Sequence, residues 1–489
     1  MAIRTYGLSG SGIDVDQMVK DLMKAQRTRY DSLVQKKTQL EWKKADYNTM
    51  YTAVSDFRNT VFNYKMSSTV SPKQAESADE TIVKATATAD AANISHTINV
   101  TQLAEGVKLT SSAAITTGSG KDTLANQFTG LTGTFTIKIT NGSASKAISV
   151  DTSKSIYELV SDINNAGINV KATYDATLDR FFLSTTNTGS AATIDFSGSD
   201  AAGMDFLTNN LKLDTTTQQG KDAKFKLDNV DLTQATNNFT ISGVTYNLKN
   251  IGTTTVAVSP DNDKVIANVK AFVEAYNNIL GKINGKLSEE RYKDYLPLTD
   301  DQKKEMSESE IKAWEDKAKS GMLRRDPILQ DAVSAMRSNI SNPVSGLTGK
   351  YTSLSSIGIT TGDYSENGKL YLDETKLKTA LEEDPDIVNK LFATAGDTSS
   401  KQGVAVRLYD TLKTAMDKIT TEAGYSASTS DDTKSTLAQL ITDYEKQMTT
   451  LNDRLNDMED AYYKKFDAME VALSKLNQQS SWLSQQLGN

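Results

Sequence analysis

Two heptad repeats, one near each end of the 489-residue chain, constrain the fold more than any other feature. The N-terminal repeat combines one apolar series with a second at the three-residue offset: Leu33, Leu40, Tyr47, Val54 and Val61, with Tyr30, Met50, Phe57 and Tyr64. The C-terminal repeat is longer: Ile441, Met448, Leu455, Tyr462, Met469, Leu476 and Leu483, with Leu437, Tyr444, Leu451 and Met458. A strict seven-residue apolar repeat predicts a helix that supercoils on another helix. We therefore predict that the two ends of the chain pair as long helices.

Between Pro72 and Pro260 the pattern changes from helical to strand-like. Thr, Ser, Asn and Gly replace many charged residues, and apolar side chains alternate with polar ones. Alternation up to the dipeptide Asn141-Gly142 predicts a β-hairpin that turns at this dipeptide. Ser155 and Glu158 have the spacing of a capping box, which predicts a short helix ending at Gly167. The sequence therefore predicts a hairpin–helix–hairpin module, followed by strands near 225–227, 239–241, 244–248 and 254–258.

After Pro260 the helical period returns. Amphipathic helices are predicted over 265–280 and 328–340, a hairpin over 354–372, and two short helices over 374–383 and 386–392. The predicted fold class is α+β multidomain, with coiled-coil, helical terminal legs and a stem into which β-rich head domains are inserted. The predicted domains are a terminal helical leg (1–45 plus 441–489), a helical stem with a β-hairpin (46–75 plus 260–440), a β-rich head domain (76–110 plus 221–259) and an inserted outer head domain (111–220).

Composition excludes several kinds of chemistry. The chain has no cysteine, which rules out disulfides, thiolate metal sites and cysteine nucleophiles, and its one histidine, His96, rules out multi-histidine metal centres. With 54 basic against 62 acidic residues it has no basic footprint for nucleic acid. There is no run of 18 apolar residues and no apolar leader, so we expect neither membrane insertion nor a Sec-type signal. We expect a chain that is not an enzyme and that uses no cofactor or metal.

Several local motifs resemble functional sites, but their surroundings favour structural roles. Asp363–Glu374 partly fits a calcium loop, but its flanks are strand-like, so a hairpin turning at Asn367-Gly368 is the better prediction. The loop Thr117–Lys121 lacks the residues of a phosphate-binding loop. Asp261 and Asp263 fit a helix N-terminus, and Glu382–Asp384 fit a solvated helix end. His96 is predicted to face solvent or a polar partner within a strand.

Several motifs in order carry a family resemblance. The run from Gly7 to Asp14 (Gly-Leu-Ser-Gly-Ser-Gly-Ile-Asp) and the following heptad helix resemble the N-terminus of the flagellar filament capping proteins, or hook-associated proteins type 2. Phe272–Asn277, Tyr295–Thr299, Trp314–Gly321, Leu354–Ile359 and Gly368–Leu370 resemble the later part of that family in order and spacing. The module around Val150–Tyr174 is similar to a repeat inserted in flagellin and hook-associated proteins.

The resemblance implies a function and a location. Such a protein passes unfolded through the flagellar type III secretion channel and assembles extracellularly, at the flagellum tip, as a homo-oligomeric ring. There it promotes insertion and folding of exported flagellin and prevents its leakage. The implied partners are flagellin, hook–filament junction proteins and a cytoplasmic export chaperone that binds the acidic C-terminal helix. Two alternatives stay open at this point: a hook–filament junction protein of the same secreted class, and a surface adhesin that uses the Thr/Ser-rich head.

The predicted partner-binding residues are apolar side chains close to the two ends. They are Leu8, Val19, Leu22, Met23 and Leu33 at one end, and Leu476, Trp482 and Leu483 at the other. Few other apolar residues accompany them, so packing against another molecule is the natural use of these stripes. The last segment, Leu473–Asn489, lacks charge pairs, and we expect it to be disordered until it folds on a partner.

Overall fold

The computed structural model describes residues 14–425 and 432–487, with only the backbone of the last of these. Two compact units are present. One contains the described residues up to Val70 and those from Val265 onward, and the other contains Ser71–Lys264. The chain therefore begins and ends in the same unit, and the second unit is an insertion.

The element boundaries are as follows. The α-helices are α1 (Val15–Asn63), α2 (Ser67–Val70), α3 (Leu124–Gln127), α4 (Ile156–Asn164), α5 (Ala201–Asp205), α6 (Asn262–Ser288), α7 (Asp300–Lys304), α8 (Glu308–Lys319), α9 (Pro327–Ser341), α10 (Glu374–Glu383), α11 (Ile387–Phe392), α12 (Val404–Ala423) and α13 (Thr436–Leu487). The strands are β1 (Lys73–Ser77), β2 (Val83–Ala87), β3 (Ser95–Gln102), β4 (Lys108–Thr110), β5 (Thr134–Asn141), β6 (Ala144–Asp151), β7 (Val170–Asp175), β8 (Arg180–Thr185), β9 (Thr193–Ile194), β10 (Gln218–Gln219), β11 (Ala223–Leu227), β12 (Val230–Gln234), β13 (Asn238–Ile241), β14 (Val244–Leu248), β15 (Gly252–Pro260), β16 (Ile359–Thr361) and β17 (Leu370–Leu372). A π-helical turn, Phe206–Asn210, follows α5, and short 3₁₀ turns lie at Leu354–Ile357, Tyr364–Glu366 and Ser399–Lys401.

The core of the helical unit is built around the C-terminal half of α1. Its heptad side chains from Tyr47 to Val61 are buried together with apolar residues of α6, α9, α11 and α12. Phe57 meets Tyr276 of α6 edge to face, with ring centroids 6.2 Å apart. The small β16–β17 hairpin joins this core through Leu370, whose N–H and C=O both bond to the side chain of Asn277 at 2.8 Å. One end of the heptad repeat thus forms the centre of a helical core.

The buried side chain of Arg407 in α12 illustrates how the helices of this unit are tied together. Its guanidinium donates to the carbonyl oxygens of Asn339, Asn342 and Pro343, at and just beyond the end of α9. The last carbonyls of a helix have no partner within it. Arg407 therefore satisfies the C-terminus of α9 and fixes α12 against it.

The inserted unit contains two hydrophobic cores. In the first, a five-stranded sheet of order β1-β15-β3-β11-β12 packs on a three-stranded sheet of order β13-β14-β2, and Phe225 stacks on Phe239 at 4.7 Å between them. In the second, the β5–β6 hairpin, helix α4 and the β4-β8-β7 sheet enclose the buried side chains of Ile137, Leu159 and Phe206. The sheets pair antiparallel throughout, as expected of a unit made of hairpins.

The predicted α+β class with helical ends and an inserted β-rich part is confirmed. The capping box is present: Glu158 N–H donates to Ser155 Oγ, and Ser155 N–H donates to Glu158 Oε2 at 2.9 Å. The predicted hairpin turn is displaced by one residue, because Asn141 is the last residue of β5 and pairs with Ala144. The amide of Asn141 is buried and bridges Ile168, Asn187 and Thr193, so this residue connects strands rather than making the turn.

One further expectation is corrected, and two regular elements have no counterpart among the predictions. Disorder was predicted from Leu473 onward, whereas α13 continues as a helix through Leu487. Helix α12 and strand β12 were not predicted individually, although both are regular elements. Whether the helical unit divides into a leg and a stem, and the inserted unit into inner and outer heads, stays a prediction.

Candidate functional site

The N-terminal half of α1 packs along α13. Val19 and Met23 are buried with Leu455, and partly buried apolar side chains surround these three: Val15, Tyr30, Leu451, Met458, Tyr462, Tyr463 and Phe466. Polar contacts flank the seam: Lys37 Nζ lies 2.9 Å from Glu445, and the Tyr463 hydroxyl donates to Asp16 at 3.0 Å. The two terminal heptad repeats therefore meet each other within one chain.

Buried polar groups near the start of α13 fix the register of this helix pair. Lys44 of α1 is 1% exposed and lies 2.9 Å from the carboxylate of Asp432, which also accepts bonds from the N–H and hydroxyl of Ser435 at the start of α13. Burial would raise the pKa of Asp432, but hydrogen bonds from Ser435 and Lys44 dominate and lower this pKa to about 2. One helical turn further along α1, Tyr47 donates to Asp326, the N-cap of α9.

Beyond Phe466 most of the large apolar side chains described in α13 are exposed, and Leu473 is half-buried. Five are exposed by between 39% and 59%: Met469, Val471, Leu476, Trp482 and Leu483. Met18 and Leu22 at the start of α1 are also exposed, by 43% and 41%. Exposed apolar side chains concentrated on one segment are typical of a surface that another molecule covers. We call residues 467–486 of α13 the helical tip.

The predicted partner-binding residues fall into four groups. Leu22, Leu476, Trp482 and Leu483 are exposed, and Leu33 is half-buried. Val19 and Met23 are buried against α13, so within the single chain they support the helix pair and do not reach its surface. Leu8 lies outside the described residues. The role of all eight as partner contacts stays a prediction.

Sequence reasoning missed three exposed apolar residues of this region. Met469 belongs to the C-terminal heptad but was not selected, and Met18 and Val471 lie outside the heptad positions. The change from buried to exposed after Phe466 depends on where α13 loses contact with α1. The first apolar series of the heptad does not mark this point, because it continues to Leu483, whereas the companion series is interrupted at Lys465, where Phe466 takes over.

The other candidate motifs have structural roles. The β16–β17 hairpin is confirmed, with Asn367 and Gly368 in left-handed conformations at its turn. His96 Nδ1 lies 2.6 Å from Asp228, and that contact and the Thr97 N–H lower the pKa of Asp228. Asp261 accepts from the Lys264 N–H at the start of α6. Within residues 14–425 and 432–487, no group of three or more acidic or histidine side chains could hold a metal ion.

No helix in the described part of the chain combines the length and apolar character needed to cross a membrane. Paired terminal helices, a β-rich insertion and an apolar helical tip are features of a structural assembly protein.

Two family descriptions match the chain: "Flagellar hook-associated protein 2 N-terminus" over residues 11–106 and "Flagellar hook-associated protein 2 C-terminus" over residues 220–478. The chain belongs to the flagellar hook-associated protein 2 family. It is 31% identical to flagellar hook-associated protein 2 of Halalkalibacterium halodurans over 530 aligned positions, covering 97% of this chain and 98% of the relative. It is 26% identical to the Escherichia coli K12 protein of that name, covering 98% and 97%.

Among solved structures, the chain is similar to domains D1, D2 and D3 of the flagellar cap protein FliD of Escherichia coli. The TM-score is 0.53 at 21% identity, and the match covers 82% of this chain and 99% of the solved one. At this identity the likeness shows a shared fold, and family membership rests on the sequence matches.

Proposed function

We propose that this chain is the structural cap at the distal tip of the bacterial flagellar filament, where it promotes insertion and folding of exported flagellin and prevents its leakage. Membership of the hook-associated protein 2 family is the observation that carries the proposal. The same membership disfavours a hook–filament junction protein and an adhesin as the main role. The proposed location is extracellular, after export through the flagellar type III secretion channel.

The helical tip is the proposed contact with flagellin. Leu476, Trp482 and Leu483 are each more than half exposed on a regular helix. Apolar side chains held in this way are suited to pack against the helical end of another protein, because such packing removes them from water without first ordering a backbone. Leu8 and Leu22 are proposed to extend this contact. Val19, Met23 and Leu33 are proposed to support the pairing of α1 with α13.

Further partners are proposed on the same basis. The cap is a homo-oligomeric ring that contacts flagellin and the hook–filament junction proteins. Before export, the acidic C-terminal helix binds a cytoplasmic chaperone, which covers the apolar helical tip. We propose that each subunit of this ring has the predicted leg, stem, inner head and outer head. The inserted unit supplies the two heads. The chain acts by binding, without enzymatic chemistry.

The test compares two triple variants of the helical tip in cells that make no other copy of the protein. Leu476→Asp/Trp482→Asp/Leu483→Asp should leave few or short filaments and release flagellin monomer into the medium. The control, Gln478→Asp/Ser481→Asp/Ser484→Asp, adds the same charge at exposed polar positions of the same helix and should give normal filaments. Filament length by electron microscopy and flagellin in the medium are the readouts. Normal filaments from the first variant would refute the contact.

A further inference from the structure

An uncommonly basic cleft lies on the helical unit of this acidic chain. Its volume is about 690 Å³, and its lining includes six cationic residues: Lys36, Lys43, Arg291, Lys293, Arg324 and Arg325. Among the described residues that line it there is no carboxylate. The chain as a whole carries a net charge of −8, so this concentration of positive charge is local. Four segments form the cleft: one face of α1, the loop after α6, the turn before α9, and α13 through Tyr444.

Four of these cations have no ionic partner within the part of the chain that the structure describes. Arg291 is used internally, since it donates to the carbonyl oxygens of Ala318 and Ser320, and Lys43 lies 3.9 Å from Glu422. Lys36, Lys293, Arg324 and Arg325 are exposed. Like charges held together without counter-charges repel one another, so an anionic group that enters the cleft is attracted by all four.

The lining also contains half-buried apolar side chains, which we call the floor of the cleft, and we call its exposed cations the rim. Leu40, Met322 and Tyr444 form this floor together with the glycine Gly321. A cationic rim over an apolar floor fits a protein segment that carries carboxylates around an apolar or aromatic side chain. A simple inorganic anion would use only the rim.

The chain itself carries a segment of that kind. The turn of the β16–β17 hairpin presents Tyr364, which is 92% exposed, between the carboxylates of Asp363 and Glu366. Exposed tyrosines of this kind are frequent anchors of protein interfaces because the ring buries a large area with few rotatable bonds. We call Asp363–Glu366 the hairpin knob.

The hairpin knob and the basic cleft are too far apart to meet within one chain. The hairpin is bonded to Asn277 next to Tyr276, which packs on Phe57, whereas the cleft lies beside Leu40. These two α1 positions are separated by roughly 25 Å at 1.5 Å per helical residue. A contact between knob and cleft therefore requires two molecules.

We propose that the hairpin knob of one copy inserts into the basic cleft of a second copy, with Tyr364 on the apolar floor and Asp363 and Glu366 against the cationic rim. The contact joins different surfaces of the two copies, so it is head-to-tail and generates a ring when the rotation closes. It deepens, and rests on, the proposed homo-oligomeric cap, because it names the surfaces that hold neighbouring subunits of the helical unit together.

The absence of cysteine makes crosslinking a clean test. Full-length Ser365→Cys protein is mixed with differently tagged Gln39→Cys protein and treated with a short, flexible bismaleimide. Gln39 lines the cleft, and Ser365 is exposed in the knob. The control partner is Asn59→Cys, an exposed position on the same helix and away from the cleft. The Gln39 pair should crosslink about tenfold faster than the Asn59 pair, and equal rates would overturn the proposal.

Charge reversal gives a second, independent arm. Arg324→Glu in the Gln39→Cys chain should slow the crosslink about tenfold, because a rim attraction becomes a repulsion. Asp363→Lys in the Ser365→Cys chain should restore much of the rate with Arg324→Glu. An unchanged crosslinking rate with Arg324→Glu would refute the contact. The contact would also be refuted if inorganic phosphate binds in the cleft and the crosslinking rate stays the same in its presence. Both arms use purified protein, so their failure leaves the filament assay of the cap role unaffected.

Discussion

Replacing Lys44 by methionine should destabilise the helical unit far more than the same change one residue earlier. Methionine keeps the length and apolar stem of lysine but removes the charge that faces Asp432 at 2.9 Å. The ordinary pKa of the Asp432 carboxyl, 3.8, falls to about 2 in the folded chain, which corresponds to about 2 kcal/mol of stabilisation of the charged form, shared between Lys44 and the donors of Ser435 and Lys434. Removing one partner of a buried pair leaves the other charge uncompensated, at a cost of about 3 to 5 kcal/mol.

The matched control is Lys43→Met. Lys43 is adjacent, its side chain is 31% exposed, and its nearest carboxylate, Glu422, is 3.9 Å away. An exposed pair of this kind contributes less than about 1 kcal/mol. The double variant Lys44→Met/Asp432→Asn should recover most of the loss, because it removes the unpaired charge.

Tryptophan fluorescence during urea unfolding is the measurement. The three tryptophans, Trp42, Trp314 and Trp482, all lie in the helical unit, so the signal reports that unit alone. Equal midpoints for Lys44→Met and Lys43→Met would refute the reasoning.

The pH dependence follows from the lowered pKa of Asp432. A carboxyl whose pKa is lower when folded stabilises the fold above its unfolded pKa, and that stabilisation is lost as the pH falls toward the folded pKa. The stability difference between the natural chain and Lys44→Met should therefore be constant above about pH 5 and shrink as the pH approaches about 2. A difference that does not change over this range would contradict the assignment.

Three further substitutions should change stability: two act on the helical unit, in opposite directions, and one acts on the inserted unit. Arg407→Met removes the guanidinium bonds to the end of α9 and should cost about 2 to 3 kcal/mol in the same fluorescence assay. Gly281→Ala, in the interior of α6 where an added Cβ meets nothing within 4 Å, should stabilise the helical unit by about 0.5 to 1 kcal/mol. Gly203→Ala would place a Cβ 2.2 Å from the Thr136 carbonyl oxygen, so hydrogen exchange of Thr134–Asn141 should accelerate roughly 5- to 150-fold, as expected for a strain of about 1 to 3 kcal/mol.

Local patterns in the sequence predicted the elements whose causes are themselves local. The heptads predicted α1 and α13, the Ser155–Glu158 spacing predicted α4, and the Asn367-Gly368 dipeptide predicted the β16–β17 hairpin. Each of these signals operates within seven residues or fewer, so it survives without knowledge of the fold.

Features that depend on distant segments were not predictable in this way. Lys44 and Arg407 look like surface residues in the sequence, and their burial follows only from where Asp432 and the end of α9 come to lie. Asn141 looks like a turn residue because Gly142 follows it. Its actual role depends on hydrogen bonds to Asn187 and Thr193, which lie about fifty positions away in the sequence. The basic cleft draws on four segments, from Lys36 to Tyr444, so no window of sequence shows it.

The first and last strands of the inserted unit have a consequence for how such chains diversify. Strands β1 and β15 are hydrogen-bonded neighbours, Lys73 pairs with Pro260, and the Asp261 N–H bonds to the Pro72 carbonyl at 3.0 Å. The two points where the chain enters and leaves the insertion are thus only a turn's width apart. Excision of 73–260 and closure by a short reverse turn should leave the helical unit competent to fold, and a foreign β domain with adjacent termini could be grafted there. Recombination at this one junction would exchange the insertion while preserving the helical scaffold.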